Sequence, residues 1–525
     1  MQTTLLEPEA PAVGRRAWWW SATALLAWLA LAKMLLHFLT TYNAYGYFRD
    51  ELYYIACANH LDWGYVDHPP LSIWILAATR ALLGDSLFAI RLPAVLAGSA
   101  TIFLTGLIAR EMGGGRTAQW LAALGCFVMG TSLALSTFFS MNAFDFLFWA
   151  ACMLILVRLF RTDRPKLWLA LGVVAGAAMM NKISIGFFAF GVVIGLLLTP
   201  HRRHFASRWI WAGAGIAFLI FLPHIVWQVA NGAPTLEFIR NAREKIAPST
   251  PWGYILEQIM AGNPFTAPVW LLGLTWLLAA RAARPYRALG IAYVAILVLF
   301  IVQQAKGYYL APAYPMLLAA GAVAIERWMA PRRLVWPQWA LGGLLAAGGA
   351  FGLPLAVPLL PPETFIQYTE ALGFRPTTGE RSDAGALPQY LADRFGWEEM
   401  AAAVARVYQS LPPEDRARCS LGASNYGEAG ALEFFGPRYG GLPRVLCAHN
   451  NYWLWGVGDA PHEVLIMVGE SRERMLELYD EVTEAARTNA LYAMPYENDQ
   501  PILICRKPKR PLGDKDVWAQ AKHYQ

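Results

Sequence analysis

Charge is what this sequence has least of. Only 15% of its 525 residues are Asp, Glu, Lys or Arg, against 56% hydrophobic ones, a balance foreign to soluble globular chains. Cysteine is sparse as well: the six residues are scattered, no CxxC or HExxH occurs, and no metal-ligand set is legible. Internal repeats are missing, so the inverted halves of many secondary transporters find no support. The glycines of "GASNYGEAG" do not match a dinucleotide fingerprint; turns at strand ends account for them better than phosphate binding.

What the sequence has is apolar length. Runs from "AWWWSATALLAWLALAKMLLHFL" to "WALGGLLAAGGAFGLPLAVPLL" recur as far as Leu360, several near the ~20 residues that a helix needs to cross a bilayer. The first run is too long and too aromatic for a secretory signal, and no A-x-A site follows, so a permanent helix is expected. Basic residues then sort the connections. Arg15 and Arg16, Arg110 and Arg116, Arg161 with Arg164 and Lys166, Arg202 with Arg203, Arg281 with Arg284, and Arg332 with Arg333 occupy every second one. Short basic connections mark the cytoplasmic side. The expectation is roughly eleven spans. Residues 1–14 form a cytoplasmic tail, 15–361 the membrane part, and 362–525 a periplasmic or extracellular domain. The outer connections include a first loop at 41–90 and a long loop at 231–264. "LSIWILAATRALLG" is about half a spanning length and carries Arg80, which fits a surface-lying helix.

After Leu360 the pattern changes. The strand-like runs "CSLGAS", "RVLCAH", "EVLIMVG" and "PILICRK" alternate with helical stretches such as "LADRFGWEEMAAAVARVYQ" and "SRERMLELYDEVTEAART". That alternation predicts an α/β domain with a mainly parallel sheet. Cys419 and Cys447, near predicted strand ends, are either a disulfide or two buried thiols.

The few charges are informative because an Asp, Arg or Lys at the centre of a membrane helix costs ~2.5 to 3.5 kcal/mol. The first outer loop, "YFRDELYYIACANHLDWGYVDHPPL", gathers Arg49, Asp50, Glu51, Asp67 and His68 among tyrosines, with two rigidifying prolines. An interfacial tyrosine belt with solvated acids explains part of this loop but not all of it. Asp145 stands just inside an apolar span, where an acid faces a cavity or a partner. Lys182 and Lys306 sit at outer helix corners, and Arg243 and Lys245 in the long outer loop. Each is either a snorkelling cation or an anion-binding one. Lys33 and His37, four residues apart, share one helix face and fit interhelical packing.

The order "FRDE…DHPPL…GDSLFAIRLP…MNAFD…NKISIG…KGYYLAPAYP" resembles the bacterial members of the dolichyl-phosphate-mannose protein mannosyltransferase-like family, glycosyltransferase family 39, which includes aminoarabinose transferases. The likeness runs from about Tyr42 to Arg327. It implies a polytopic α-helical C-type glycosyltransferase fold and inverting transfer of one sugar from undecaprenyl phosphate to a lipid, glycan or protein acceptor outside the membrane. By the same resemblance Asp50 is the base for the acceptor hydroxyl, with Glu51 beside it, because a phosphate leaving group needs no acid. Lys182 and Lys306 would stabilise the departing phosphate, with Arg243 and Lys245 as further candidates. Asp145 would contact the sugar or a cation, and Tyr308 and Tyr309 would line the lipid phosphate site. His68 would orient Asp50 or the acceptor, and Arg49 and Asp67 complete the substrate-binding set. Divalent cations help some relatives, so one is a candidate cofactor here. The trefoil modules of protein mannosyltransferases are missing and the first-loop acid motif differs from that of aminoarabinose enzymes, so the acceptor stays open. Two rivals stand beside the transferase: a flippase for a lipid-linked sugar, and an envelope scaffold acting through the last domain.

Overall fold

The computed structural model describes residues 19, 21–245, 249–376, 383–459 and 461–525; the tail at 1–14 lies outside them. Among the described residues seven helices are long and apolar enough to cross a membrane: Ala22–Thr40, Leu87–Glu111, Met141–Thr162, Arg208–Ala230, Arg281–Gln303, Gly307–Arg332 and Trp336–Ala356. Counting the pair Ile185–Leu197 and Pro200–Ala206 as one span, bent by 110°, gives eight. Leu167–Asn181 and Pro264–Ala279 are shorter apolar helices, and Arg116–Phe127 is shorter still. Helices therefore occupy each of the eleven expected positions, but not all have full spanning length. The chain is a multi-pass membrane protein.

We label α1 (Ala22–Thr40), α2 (Arg49–Asn59), α3 (Leu71–Leu83) and α4 (Leu87–Glu111). Ser21 starts α1 by accepting the Ala24 N–H at 3.2 Å, and Ser86 starts α4 in the same way from Ala89. α1 carries Lys33 inward, where its ammonium donates to Ser132 Oγ at 2.9 Å and to the Ser132 carbonyl at 3.1 Å. Small residues let the helices approach. Gly172 and Gly213 meet backbone to backbone where Leu167–Asn181 crosses Arg208–Ala230. α3 has 13 residues, about 20 Å of helix, too short to cross; it buries Ser72, Ile73 and Leu76 and exposes Leu82 and Leu83. The long outer loop folds into the helices Pro234–Lys245 and Pro251–Ala261.

The C-terminal domain carries a five-stranded sheet in the order β2-β1-β3-β5-β4. Its strands are β1 (Cys419–Ala423), β2 (Val445–Cys447), β3 (Val464–Val468), β4 (Tyr479–Arg487) and β5 (Pro501–Pro508). β2 and β3 flank β1 and run parallel to it, while β5 is antiparallel to both β3 and β4, so the sheet is mixed rather than mainly parallel. The fifth strand corrects the sequence reading. "SRERMLELYDEVTEAART" is helical only over Arg472–Leu478 and then extends as β4. Its acidic residues favour helix locally, but pairing with β5 decides, and a sheet edge tolerates charge. Of the two readings left open for Cys419 and Cys447, the structure has the buried thiols. Cys447 lies opposite Ala423, four residues along β1 from Cys419, which is about 13 Å of strand, and both thiols are buried and free.

The two halves meet through α2, whose residues Leu52–Cys57 are all buried. It packs on the helix Tyr426–Phe435, and at Gly430 a Cβ would lie 2.8 Å from the Leu52 carbonyl carbon. Only glycine permits that approach.

Candidate functional site

A cavity of about 1290 Å³ opens where the first outer loop, the start of Met141–Thr162, the long outer loop and the C-terminal domain come together. Of the residues singled out in the sequence, Arg49, Asp50, Asp67, Lys306, Tyr308 and Tyr309 line it.

Asp50 and Glu51 are neighbours in the first turn of α2, so the helix turns them about 100° apart and they cannot share a wall. Asp50 faces the cavity. Its Oδ1 accepts a hydrogen bond from the Tyr426 hydroxyl at 3.0 Å and lies 3.9 Å from Arg49 Nε. Glu51 points into the protein, fully buried, away from the cavity. Its Oε1 accepts from Arg91 Nε at 2.9 Å and the Phe139 N–H at 2.8 Å, and its Oε2 from Arg91 Nη2 at 2.9 Å and the Phe48 N–H at 2.8 Å. Four donors on one carboxylate make it an anchor for the start of α2.

Around Asp50 the polar groups interlock. Arg49 donates to the Tyr496 hydroxyl at 3.0 Å, lies 3.7 Å from Asp393, and sits 5.5 Å from the centre of the Tyr426 ring. Tyr53 donates to Asp67 at 3.0 Å. His68 is buried behind it against the rings of Tyr53, Tyr54 and Tyr65, with Nε2 3.8 Å from Asp67 and Nδ1 on the Pro69 carbonyl, and does not line the cavity. Burial, before any charge, pushes the Tyr53, Tyr54 and Tyr426 hydroxyls well above the usual phenol range, so they stay protonated donors.

The cation side is built on one corner. Lys182 donates to Asn142 Oδ1 at 2.8 Å and lies 3.6 Å from Asp145, which also accepts the Ser184 hydroxyl at 2.7 Å. The Lys182 ammonium stands 4.9 Å from the Tyr309 ring centre and 5.6 Å from that of Tyr308. Lys182 and Asp145 are thus one step behind the wall that Asn142, Tyr308 and Tyr309 present. Arg243 is exposed and does not line the cavity, unlike Phe238 and Ala242 on the same helix. The side chain of Lys245 lies outside the described residues.

Three residues escaped the sequence reading: Arg91, Tyr426 and Asn451. Asn451, from "HNNYWLWG", accepts the Val66 N–H at 2.7 Å with its side-chain oxygen and donates its backbone N–H to the Tyr53 hydroxyl at 3.4 Å, tying the C-terminal domain into the first outer loop. Arg91 sat in the motif "AIRLP", where its charge inside an apolar run was the available signal. Among the described residues no group of three or more His, Cys, Asp or Glu is placed to hold a metal ion. The site therefore does not fit a dedicated divalent-cation cage.

Residues 67–227 match the family described as dolichyl-phosphate-mannose-protein mannosyltransferase. The chain is 28% identical over 201 residues to a lipid A galacturonosyltransferase of Rhizobium johnstonii, covering 38% of this chain and 42% of the relative. It is 27% identical over 227 residues to an undecaprenyl phosphate-alpha-4-amino-4-deoxy-L-arabinose arabinosyl transferase of Pseudomonas fluorescens, covering 40% and 39%. The matches thus span less than half the length of these relatives. In fold the likeness is wider. The crystal structure of ArnT from Cupriavidus metallidurans bound to undecaprenyl phosphate superposes with a TM-score of 0.59 at 16% identity, over 94% of this chain and 98% of that one. The Archaeoglobus fulgidus oligosaccharyltransferase superposes with a TM-score of 0.51 at 12% identity, over 81% and 64%.

Proposed function

We propose, for a chain that belongs to the dolichyl-phosphate-mannose protein mannosyltransferase-like family and carries the C-type glycosyltransferase fold, that it moves one sugar from a polyprenyl phosphate to an acceptor at the outer membrane face. The observation that carries this reading is the shared cavity: a carboxylate, Asp50, opens into the same space as Lys306, Tyr308 and Tyr309. The relatives are named for undecaprenyl phosphate sugars and for transfer to lipid A, which supports the donor class.

In this reading the acceptor hydroxyl gives its proton to Asp50 as its oxygen attacks the anomeric carbon. The bond from that carbon to the phosphate oxygen breaks, its electron pair leaves with the polyprenyl phosphate, and the anomeric configuration inverts. The charge that develops on the phosphate is stabilised by Lys306 and, through the corner it braces, by Lys182. Tyr426 and Arg49 hold Asp50 as an oriented carboxylate, and Glu51 fixes the turn that presents it. In this reading the N-terminus is cytoplasmic and residues 362–525 lie outside, which the alternation of basic connections supports. The polar groups collect at one face rather than through the depth of the spans, which favours one-sided chemistry over a translocation path.

The test is the Asp50→Asn protein, purified and reconstituted with a radiolabelled undecaprenyl phosphate sugar and a membrane extract as acceptor. It should bind undecaprenyl phosphate as the wild type does and transfer ~10²- to 10⁴-fold more slowly. Transfer at the wild-type rate would remove Asp50 as the base.

A further inference from the structure

At about 1290 Å³ the cavity exceeds the ~300–1,000 Å³ of ordinary small-molecule pockets. Much of its wall belongs to the C-terminal domain. β2 and β3 lie on opposite sides of β1 and parallel to it, so the chain switches direction there and a crevice opens at the carboxyl ends of the three strands. Ser424 and Asn425 follow β1, Ala448 and His449 follow β2, and Gly469 and Glu470 follow β3; all six line the cavity.

Crevices of this kind often hold a phosphate at the helix that follows the first strand. Here that place is filled from within. Glu428 Oε2 accepts the Ser424 N–H at 2.7 Å, the Ser424 hydroxyl at 3.0 Å and the Asn425 N–H at 3.4 Å. Asn425 Oδ1 accepts the N–H groups of Gly427 and Glu428 at 2.9 and 3.1 Å. The amides that would bind an anion are engaged, and an incoming anion would meet a buried carboxylate. The wall adds the carboxylates of Glu470 and Glu477, with Arg474 drawn to Glu470 at 2.6 Å, and Glu497, whose carboxyl burial pushes well up toward its neutral, protonated form. Such a lining repels phosphate and carboxylate groups and accepts hydrogen bonds from hydroxyl and ammonium groups. The crevice also reaches the chemistry. Tyr426, the residue after Asn425, donates to Asp50, and the His449 ring centre is 4.7 Å from that of Tyr426.

We propose that this strand-end crevice is the acceptor subsite, and that it takes a saccharide unit bearing hydroxyl or amino groups and no anionic group. The word acceptor rests on the transfer reading above; the saccharide site itself does not.

The experiment titrates the full chain in nanodiscs with two soluble probes, the glucosamine disaccharide chitobiose and digalacturonate, by calorimetry. Chitobiose should bind and digalacturonate should not. The double variant Glu470→Lys/Glu477→Lys, both at the cavity wall, should weaken chitobiose at least ~10-fold. The pair Glu470→Gln/Glu477→Gln, which keeps the shape, should move affinity in the same direction. Failure of chitobiose to bind, equal binding of both probes, or binding that ignores these substitutions would overturn the subsite. Chitobiose binding in the crevice of a protein that transfers no sugar would remove the transfer reading and leave the saccharide site standing.

Discussion

Arg91 grips both oxygens of Glu51, each at 2.9 Å, in a pocket that neither side chain shares with solvent. Arg91 also donates to the carbonyls of Gly46 and Thr41 at 2.7 and 3.3 Å, so α4 holds the segment between α1 and α2 in one place. Removing either partner leaves a buried charge uncompensated, at a cost of about 3–5 kcal/mol. Glu51→Ala and Arg91→Met should therefore each lower the thermal unfolding midpoint of the detergent-solubilised protein by several degrees. Asp50→Asn should leave it within about one degree, since Asp50 borders the cavity.

The two lysines should separate by measurement. Lys306→Met removes a cation from the cavity wall and should slow transfer by ~10²–10³ with little change in unfolding temperature. Lys182→Met strands Asp145, which is buried, and should cost stability as well as rate. Lys182→Arg should restore most of the stability.

Tyr426→Phe deletes a neutral donor to Asp50 Oδ1. A hydrogen bond to the ionised carboxylate favours that form, so its loss shifts protonation of Asp50 to higher pH. The acidic limb of the transfer rate should move to higher pH, with the loss greatest below neutrality. Above that limb the deficit should stay well short of the ~10²–10⁴ that removal of a base costs. A uniform loss at every pH would instead mark Tyr426 as a packing group.

Two acids on the helix that carries Tyr426, the buried Glu428 and the half-buried Glu433, set a pH dependence of stability. Burial raises Glu433 to about 7, with the Tyr452 hydroxyl pulling the other way, and burial raises Glu428 to about 7 against its bonds from Ser424 and Asn425. In the unfolded chain each titrates near 4.5. The folded state thus binds more protons between about 4.5 and 7, and stability falls as pH rises through that window. Thermal unfolding at pH 5.5 should exceed that at pH 8, and Glu433→Gln should remove roughly 3 kcal/mol or less of the difference.

The sequence carried the membrane class, the four strands with apolar cores, and the residues that end at the cavity: Arg49, Asp50, Asp67, Lys306, Tyr308 and Tyr309. The membrane class and the strands follow from local signals, hydrophobic length and β-branched runs; the cavity residues came from charge beside apolar helices together with the family resemblance. The separation of Asp50 from Glu51 was latent in helix geometry once α2 was known to begin at Arg49. What sequence order could not supply were partners drawn from far along the chain: Arg91 for Glu51, and Tyr426 for Asp50, 376 positions away. β4 failed for the related reason that its extended state depends on β5 and not on its own residues.

The glycine contact between Leu52 and Gly430 has a consequence for engineering. Because α2, which carries Asp50, and the helix Tyr426–Phe435 approach backbone to backbone at Gly430, neither surface can be exchanged alone. A chimera built by grafting a different C-terminal domain onto this bundle must import the matching face of α2, or the graft will stand off and open the cavity to water.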